Sequence, residues 1–196
     1  MTFSKSLKNP NLCKEIETPT EDYIPIKVEI VSSLSKELRG KAKDVYLSKI
    51  QELEDKVQQI VDSYVPTKHL LLVEGKIAWK LMLDILIVGD LDYSELDLIS
   101  YALRTALSNC TLPEIKINFN SINNTYNIEV LEESKKMFNY ADLPHAFTIG
   151  IVGDHYYFDM DDIEFKATQT CFMGVCDSRG GILEFEKLGK EFLIFL

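Results

Sequence analysis

The sequence lacks the short motifs that mark many nucleotide-dependent and metal-dependent enzymes. It has no glycine-rich phosphate loop, no nucleophile turn of the Gly-x-Ser-x-Gly type and no helix with paired metal-ligating side chains. Its histidines, His69, His145 and His155, stand at no ligand-like spacing from the cysteines. Motifs alone therefore predict no catalytic residue, no metal site and no cofactor.

Cysteine pairs are also missing. Cys13, Cys110, Cys171 and Cys176 form no C-x-x-C motif, and the last two lie five residues apart within strand-like sequence. This spacing gives no sign of a disulfide framework or of a zinc site. We interpret the four cysteines as reduced, mostly buried thiols of an intracellular protein.

Basic residues are scarce, and apolar runs are short. Lysine and arginine total 21 against 31 aspartate and glutamate residues, which gives a formal net charge of -10. Phosphate backbones bind clustered cations, so RNA contact requires a local basic patch or partner subunits. The apolar run 77–88 is too short to cross a membrane, and the polar, lysine-containing opening 1–10 does not resemble a signal peptide.

The chain does have enough apolar residues for one packed core, since 46% of its 196 residues are hydrophobic. Its best-specified unit spans 76–114. There, 77–88 predicts a strand that is apolar on both faces, and therefore central and covered on each side. An acidic turn follows, then an amphipathic helix that is capped by Asp92 or Ser94 and whose end is marked by Asn109 and Pro113.

Hydrophobic periodicity predicts hairpins and one further helix. Ile26, Val28 and Ile30 alternate as the inward face of a strand, and a long surface helix covers 41–64. Strands are predicted at 12–17, 24–31, 69–74, 115–118, 126–130, 146–152, 155–159, 167–176 and 182–187, with a flexible lead-in at 1–11, a loop at 18–22 and a loop or helical turn at 131–142. Hairpins with two main helices indicate an α+β fold.

An acidic cluster is the first candidate for chemistry. Asp159, Asp161, Asp162 and Glu164 supply the oxygens that hard divalent cations prefer. The alternative is a solvated turn after a hairpin, which we favour.

Two further candidates are single groups. Asp84 stands within an apolar strand, where a buried carboxylate requires a donor. It is interpreted either as a catalytic acid or, as we favour, as the cap of a neighbouring turn. His155 beside Asp154 fits an acid–base pair, although a hairpin-turn histidine is the favoured interpretation.

Three long segments carry a resemblance to a known family. They are AWKLMLDILIV with the acidic turn and LDLISYALRTALSNCTLPEIKIN; then LPHAFTIGIVGDHYYFDMDDIEFKATQTCFMGVCDSRGGILEFEK; and, earlier, LCKEIETPTEDYIPIKVEI. Together they resemble the RNase PH-like subunits of the eukaryotic RNA exosome core ring over residues 12–190, most closely its non-phosphorolytic branch. The resemblance implies a layered fold of mixed β-sheets, built of hairpins and packed against two main helices.

Departures from the family pattern imply a catalytically silent chain. Phosphorolytic members carry Gly-Thr-Arg in the turn before the central helix, where backbone and guanidinium hold phosphate, whereas this turn reads DYSE at 92–95. Their catalytic aspartate corresponds to about Thr170 or Cys171, and neither can take the acid role. Members also have further N-terminal strands and a C-terminal helix. We therefore expect a single domain over 12–196, incomplete at both ends.

The leading hypothesis is a non-catalytic structural subunit of the RNA exosome ring. It would pair with other RNase PH-like subunits through apolar patches and form the channel that threads RNA for 3′-to-5′ processing and degradation. We expect it in the nucleus, including the nucleolus, and in the cytoplasm, with no membrane partner. Its RNA-contacting residues are unknown, and Arg104, Lys116 and Arg179 are guesses.

Two alternatives stay open. One is an active phosphate-dependent 3′-to-5′ exoribonuclease of the RNase PH family. The other is an unrelated α+β binding module whose acidic cluster holds a metal ion.

Overall fold

The computed structural model describes residues 2–6, 24, 26–89, 91, 95–123 and 125–188. Its strands are β1 Thr2–Ser6, β2 Ile26–Ser32, β3 Leu71–Val73, β4 Ile77–Ala78, β5 Lys80–Ile87, β6 Thr111–Asn120, β7 Thr125–Lys136, β8 His145–Val152, β9 His155–Tyr157, β10 Thr170–Cys176 and β11 Ile182–Leu188. Its α-helices are α1 Gly40–Tyr64, α2 Glu95–Ser108 and α3 Asp162–Ala167, and short 3-10 turns cover Leu34–Lys36, Lys68–Leu70 and Tyr140–Asp142.

The first sheet has the order β1-β5-β2, with β2 parallel and β1 antiparallel to β5. A parallel pair requires a crossover, and α1 provides it between β2 and β5. The predicted alternation of β2 is confirmed, because Ile26, Val28 and Ile30 are all buried. None of the helices among the described residues is long and apolar enough to cross a membrane.

The second sheet is antiparallel, with the order β11-β10-β8-β9. Its inner face carries the buried side chains of Ala146, Thr148, Cys171, Met173 and Val175, and α2 packs against β8 on this side. Both sheets share one core with α1 and α2. The predicted hairpins at 146–159 and 167–187 are confirmed by β8–β9 and β10–β11, although β9 and β10 are shorter than predicted.

β5 is the central strand of its sheet, as predicted, but among the described residues its second face is only partly covered. Leu81, Leu83 and Ile85 are buried in the core with both helices, but Leu86 is exposed on the opposite face, as is Val88 just beyond the strand. Both long helices pack on the same side of this short sheet. Apolar residues on both faces therefore did not identify a strand covered on each side.

The hairpin formed by β6 and β7 is longer than predicted. Residues 131–136, expected in a loop or helical turn, extend β7, because residues 134–136 pair with Pro113, Leu112 and Thr111 of β6 beyond a register shift. α2 ends at Ser108, directly before Asn109, as predicted. Pro113 stands too far along the chain to stop the helix. It lies inside β6, next to a register shift where a missing backbone N–H is tolerated.

Two other boundaries differ from the expectations. Residues 2–6, expected in a flexible lead-in, form the edge strand β1, since β5 offers them a free hydrogen-bonding edge. The strand expected from 167 begins at Thr170, because α3 occupies the chain up to Ala167. The expectations for 12–17, for the loop at 18–22 and for the cap at Asp92 or Ser94 lie outside the described residues.

Candidate functional site

The start of α2 packs against β8 through a seam of polar side chains. Asp97 accepts hydrogen bonds from the backbone N–H of Thr148 (Oδ2, 2.8 Å) and from its hydroxyl (Oδ1, 2.8 Å). One turn further along α2, Ser100 Oγ accepts from the backbone N–H of Ala146 at 2.8 Å and lies 3.1 Å from His145 Nδ1. We call these five residues the α2–β8 seam.

The seam exists because β9 is short. β9 pairs only with residues 150–152 of β8, so the backbone N–H groups of Ala146 and Thr148 face a side of β8 that β9 does not reach. Buried N–H groups require acceptors. Asp97 and Ser100, three residues apart on one face of α2, provide them.

Burial shifts the pKa values of the two titratable groups in opposite directions. It raises the pKa of Asp97, although the Thr148 hydrogen bonds and the nearby His145 partly offset the rise. Burial and the neighbouring Arg104 lower the pKa of His145, against the pull of Asp97. A neutral His145 can accept at Nδ1 from the Ser100 hydroxyl, which leaves the serine oxygen free to accept from Ala146.

This serine–histidine pair is not arranged as a nucleophile. Ser100 is buried, and its oxygen is already engaged with the backbone of β8. Asp97, which would orient the imidazole in a catalytic triad, bonds Thr148 instead. The seam therefore joins a helix to a sheet.

The positions matched to the catalytic aspartate of phosphorolytic relatives lie at the start of β10. Cys171 is buried, and burial, followed by the nearby charge of Asp97, raises the pKa of its thiol to about 11. That thiol stays protonated at neutral pH, so it is a poor nucleophile and no general acid of carboxylate strength. Thr170 is half-buried opposite Ile151 and has no ionisable group.

The three guessed RNA-contacting residues lie on different elements. The Arg104 guanidinium stacks over the Tyr140 ring at 4.1 Å and donates to the Tyr140 carbonyl at 3.4 Å. Lys116 lies on β6 opposite Glu129, and Arg179 lies in the turn between β10 and β11.

The acidic cluster builds the start of α3. Asp161 Oδ1 accepts from the N–H groups of Ile163 (2.8 Å) and Glu164 (2.7 Å), and Glu164 returns the contact by accepting from the Asp161 N–H at 3.0 Å. This capping box uses two of the four carboxylates locally. In the described part of the chain, no group of three or more potential ligands is arranged to hold a metal ion. Asp161 and Glu164 thus cap a short helix, where a solvated turn was expected.

The remaining single candidates do not form sites. Asp84 is half-buried in β5 opposite Glu29, and among the described residues its carboxylate caps no turn. His155 and Asp154 are exposed at the turn of the β8–β9 hairpin, with no hydrogen bond between them. His155 is a hairpin-turn histidine, as favoured.

Sequence reasoning missed the seam and one open cleft. The cleft has a volume of about 660 Å³ and lies between the end of α2 and residues 136–142, with His69, Lys136 and Tyr140 among its lining residues. The signal for the seam was present in the sequence. Asp97 and Ser100 share the helical face that carries the core residues Leu96, Ile99 and Leu103, where polar residues require partners.

Comparison with solved structures identifies the fold. An archaeal exosome core chain matches at a TM-score of 0.58, with 18% sequence identity over 98% of this chain and 65% of that chain. A chain of the Archaeoglobus fulgidus exosome, solved with RNA bound to the active site, matches at 0.60, with 20% identity over 98% of this chain and 68% of that chain. The rice (Oryza sativa) Rrp46 structure gives 0.47, with 13% identity over 91% and 65% of the two chains.

The two archaeal matches establish the fold as the RNase PH-like fold of exosome core subunits, and they confirm the predicted α+β architecture. This chain spans about two thirds of the length of either archaeal chain. No family model and no curated protein sequence matches it.

Proposed function

We propose that this protein is a non-catalytic structural subunit of an exosome ring. The carrying observation is that its fold matches exosome core chains over 98% of its length. In this role it assembles with other RNase PH-like subunits around the channel through which RNA is threaded for 3′-to-5′ processing and degradation. The nucleus, including the nucleolus, and the cytoplasm are the compartments that this role requires.

Catalytic silence is supported by the surroundings of the α2–β8 seam. The sequence DYSE at 92–95, where α2 begins, contains no arginine to clamp phosphate and does contain carboxylates. Asp97 and Ser100, just inside the helix, are engaged in holding β8. At the start of β10, Thr170 and Cys171 offer no carboxylate in place of the catalytic aspartate of phosphorolytic relatives.

Subunit assembly is supported by the outer face of the second sheet. Phe147, Ile149, Phe172 and Phe185 point away from the core, and the rings of Phe172 and Phe185 stack at 4.9 Å between centroids. Phe185 is exposed, and Phe147, Ile149 and Phe172 are half-buried. Apolar surface of this kind is typical of protein–protein interfaces.

A phosphorolysis assay tests catalytic silence. The purified chain is incubated with single-stranded RNA and inorganic phosphate, and released nucleoside diphosphates are measured beside a phosphate-free reaction and an active RNase PH-type enzyme. We expect no release above the phosphate-free background. Phosphate-dependent release by the lone chain would contradict the proposal and favour the active exoribonuclease.

A further inference from the structure

The open cleft between the end of α2 and residues 136–142 has the size of a small-ligand site. Its volume of about 660 Å³ lies within the range of about 300–1,000 Å³ that is typical of such sites. Ser108, the last residue of α2, lines the cleft. A helix of 14 residues is about 20 Å long, so the cleft lies far from Glu95, where the family pattern places the phosphate site of phosphorolytic relatives.

Tyr140 provides this cleft with an aromatic ring whose position is fixed. The Arg104 guanidinium stacks over the ring at 4.1 Å and donates to the Tyr140 carbonyl at 3.4 Å. The guanidinium covers only part of the ring, because Tyr140 is still 41% exposed. Nucleobases stack on exposed aromatic rings, since every base has a flat face that can do so.

Two side chains of opposite charge line the same cleft without pairing. Lys136 ends β7 and Asp142 ends the 3-10 turn Tyr140–Asp142, and both residues are exposed. Among the residues that the structure describes, neither the ammonium nor the carboxylate makes a hydrogen bond or an ion pair. A ligand that reaches both must therefore offer an acceptor to the ammonium and N–H donors to the carboxylate.

A guanine nucleotide has all three of the groups that this cleft requires. Its planar base can stack on Tyr140, and its phosphate can accept from the Lys136 ammonium. The Watson–Crick edge of guanine carries N1–H and N2–H₂ groups side by side, which suit the two oxygens of the Asp142 carboxylate. Adenine, cytosine and uracil each present only one donor group on that edge.

We propose that this cleft binds a guanine nucleotide. Tyr140 stacks on the base, Asp142 accepts from its Watson–Crick edge, and Lys136 holds the phosphate. An unstacked nucleotide of single-stranded RNA and a free mononucleotide share this chemistry. The inference goes beyond the proposed function, because the cleft belongs to the single chain and requires no ring. It rests on that function only where RNA supplies the nucleotide.

Equilibrium dialysis of the purified chain against guanosine monophosphate tests the inference. We expect saturable binding of one nucleotide per chain. Adenosine, cytidine and uridine monophosphates should bind at least about tenfold more weakly, because each loses one of the two charge-assisted hydrogen bonds to Asp142. Absence of saturable guanosine monophosphate binding, or equal binding of all four nucleotides, overturns the proposal.

Two substitutions separate the roles of the charged side chains. Asp142→Asn should bring the dissociation constant for guanosine monophosphate close to those for the other three nucleotides, because an amide provides only one acceptor oxygen. Lys136→Gln should raise all four dissociation constants by about three- to tenfold, because it removes the cation that binds the phosphate. A guanine preference that is unchanged in Asp142→Asn overturns the proposal.

Two control substitutions remove the same charges outside the cleft. Lys135→Gln changes the neighbouring lysine of β7, whose side chain points to the opposite face of the strand and does not line the cleft. Asp154→Asn changes an exposed carboxylate in the turn between β8 and β9. Both should bind guanosine monophosphate like the parent chain. A control that weakens binding as much as its matched cleft substitution overturns the assignment to this cleft.

A competition experiment identifies the source of the nucleotide. The single-stranded RNA pentanucleotides UUGUU and UUUUU are added to the chain loaded with labelled guanosine monophosphate. Displacement by UUGUU alone supports the site and indicates a guanine nucleotide of RNA, whereas displacement by neither supports it and indicates a free mononucleotide. Equal displacement by both overturns the guanine preference.

Failure of this inference and failure of the proposed function give different results. A chain that binds guanosine monophosphate through Asp142 but joins no RNase PH-like partners keeps the site and loses the ring assignment. A chain that joins such partners but binds no nucleotide in this cleft keeps the ring assignment and loses the site.

Discussion

At the scale of single residues, Asp97 shows how a charged side chain can join two layers of this fold. Its carboxylate accepts hydrogen bonds from both the backbone N–H and the hydroxyl of Thr148, each at 2.8 Å. Burial raises its pKa, which shows that the surroundings disfavour the charged form and that the hydrogen bonds offset only part of this effect. The position is suited to structure and poorly suited to binding an anionic substrate.

Replacing Asp97 by alanine should destabilise the protein. The substitution leaves the two donors of Thr148 without their acceptor, which costs about 1–3 kcal/mol in free energy of unfolding. Urea unfolding measures the difference. Asp62→Ala, at an exposed position on α1, is the control and should change the value by less than about 0.5 kcal/mol. Equal effects of the two substitutions would contradict the role given to Asp97.

His145 should make stability depend on pH. Its pKa is lowered in the folded protein from the ordinary value of 6.5, so the unfolded chain binds more protons in the interval between the two values. Its contribution to stability is therefore complete above pH 6.5 and is lost as pH falls through the folded-state pKa. The free energy of unfolding should thus rise with pH, and urea unfolding at a series of pH values from about 5 to 7 measures this rise.

Two substitutions separate the effect of His145 from that of other titrating groups. His145→Gln should flatten the rise of the free energy of unfolding with pH. His155→Gln, at an exposed position, should leave this pH dependence as in the parent protein. Asp97 has the opposite effect on the pH dependence of stability. Because its pKa is raised in the folded protein, its contribution to stability is present below pH 3.8 and is lost as pH rises through the folded-state pKa. A profile that is identical in His145→Gln and the parent would show that the histidine is not responsible.

At the scale of elements, α1 protects the free edge of the first sheet. Gln58 donates to the Ile26 carbonyl at 2.7 Å and accepts from the Val28 N–H at 2.8 Å, and Glu54 accepts from the Ile30 N–H at 2.7 Å. An edge strand with unpaired backbone groups is a template for aggregation. Side chains four residues apart on α1 occupy the hydrogen-bonding positions that another strand would use.

Gln58→Ala should weaken this protection. Two backbone groups of β2 lose their partners, so we expect a loss of about 1–2 kcal/mol in free energy of unfolding and earlier aggregation on heating. Gln51→Ala is the matched control, because Gln51 lies on the same helix and bonds only Asp55 on the exposed surface. Light scattering during a thermal ramp compares the aggregation of the Gln58→Ala and Gln51→Ala variants. Equal aggregation onset temperatures would contradict the protection of the sheet edge by α1.

Elements with strong periodicity were predictable from the sequence, and those decided by pairing were not. Ile26, Val28 and Ile30 mark β2 because alternation alone separates its two faces. The polar residues 131–136 became strand because β6 lies beside them, which is a tertiary effect. The α2–β8 seam was missed for a related reason, since the need for Asp97 and Ser100 arises from the shortness of β9.

At the scale of the whole molecule, the two sheets are held together by shared helices. α2 packs on β8, while α1 reaches the second sheet through Lys56, whose ammonium lies 3.1 Å from the Glu186 carboxylate. This arrangement leaves the apolar outer face of the second sheet partly exposed to solvent. Exposed apolar surface of this kind is typical of a protein–protein contact site.

The resemblance noted in the sequence anticipated this architecture, and the solved archaeal exosome chains confirm the fold.

Native mass spectrometry of the tagged protein, purified gently from its own cells, tests the ring assignment most directly. For a ring subunit we expect a large assembly that contains this chain together with several RNase PH-like partners. A monomer or a small homo-oligomer free of such partners would contradict the assignment to an exosome ring.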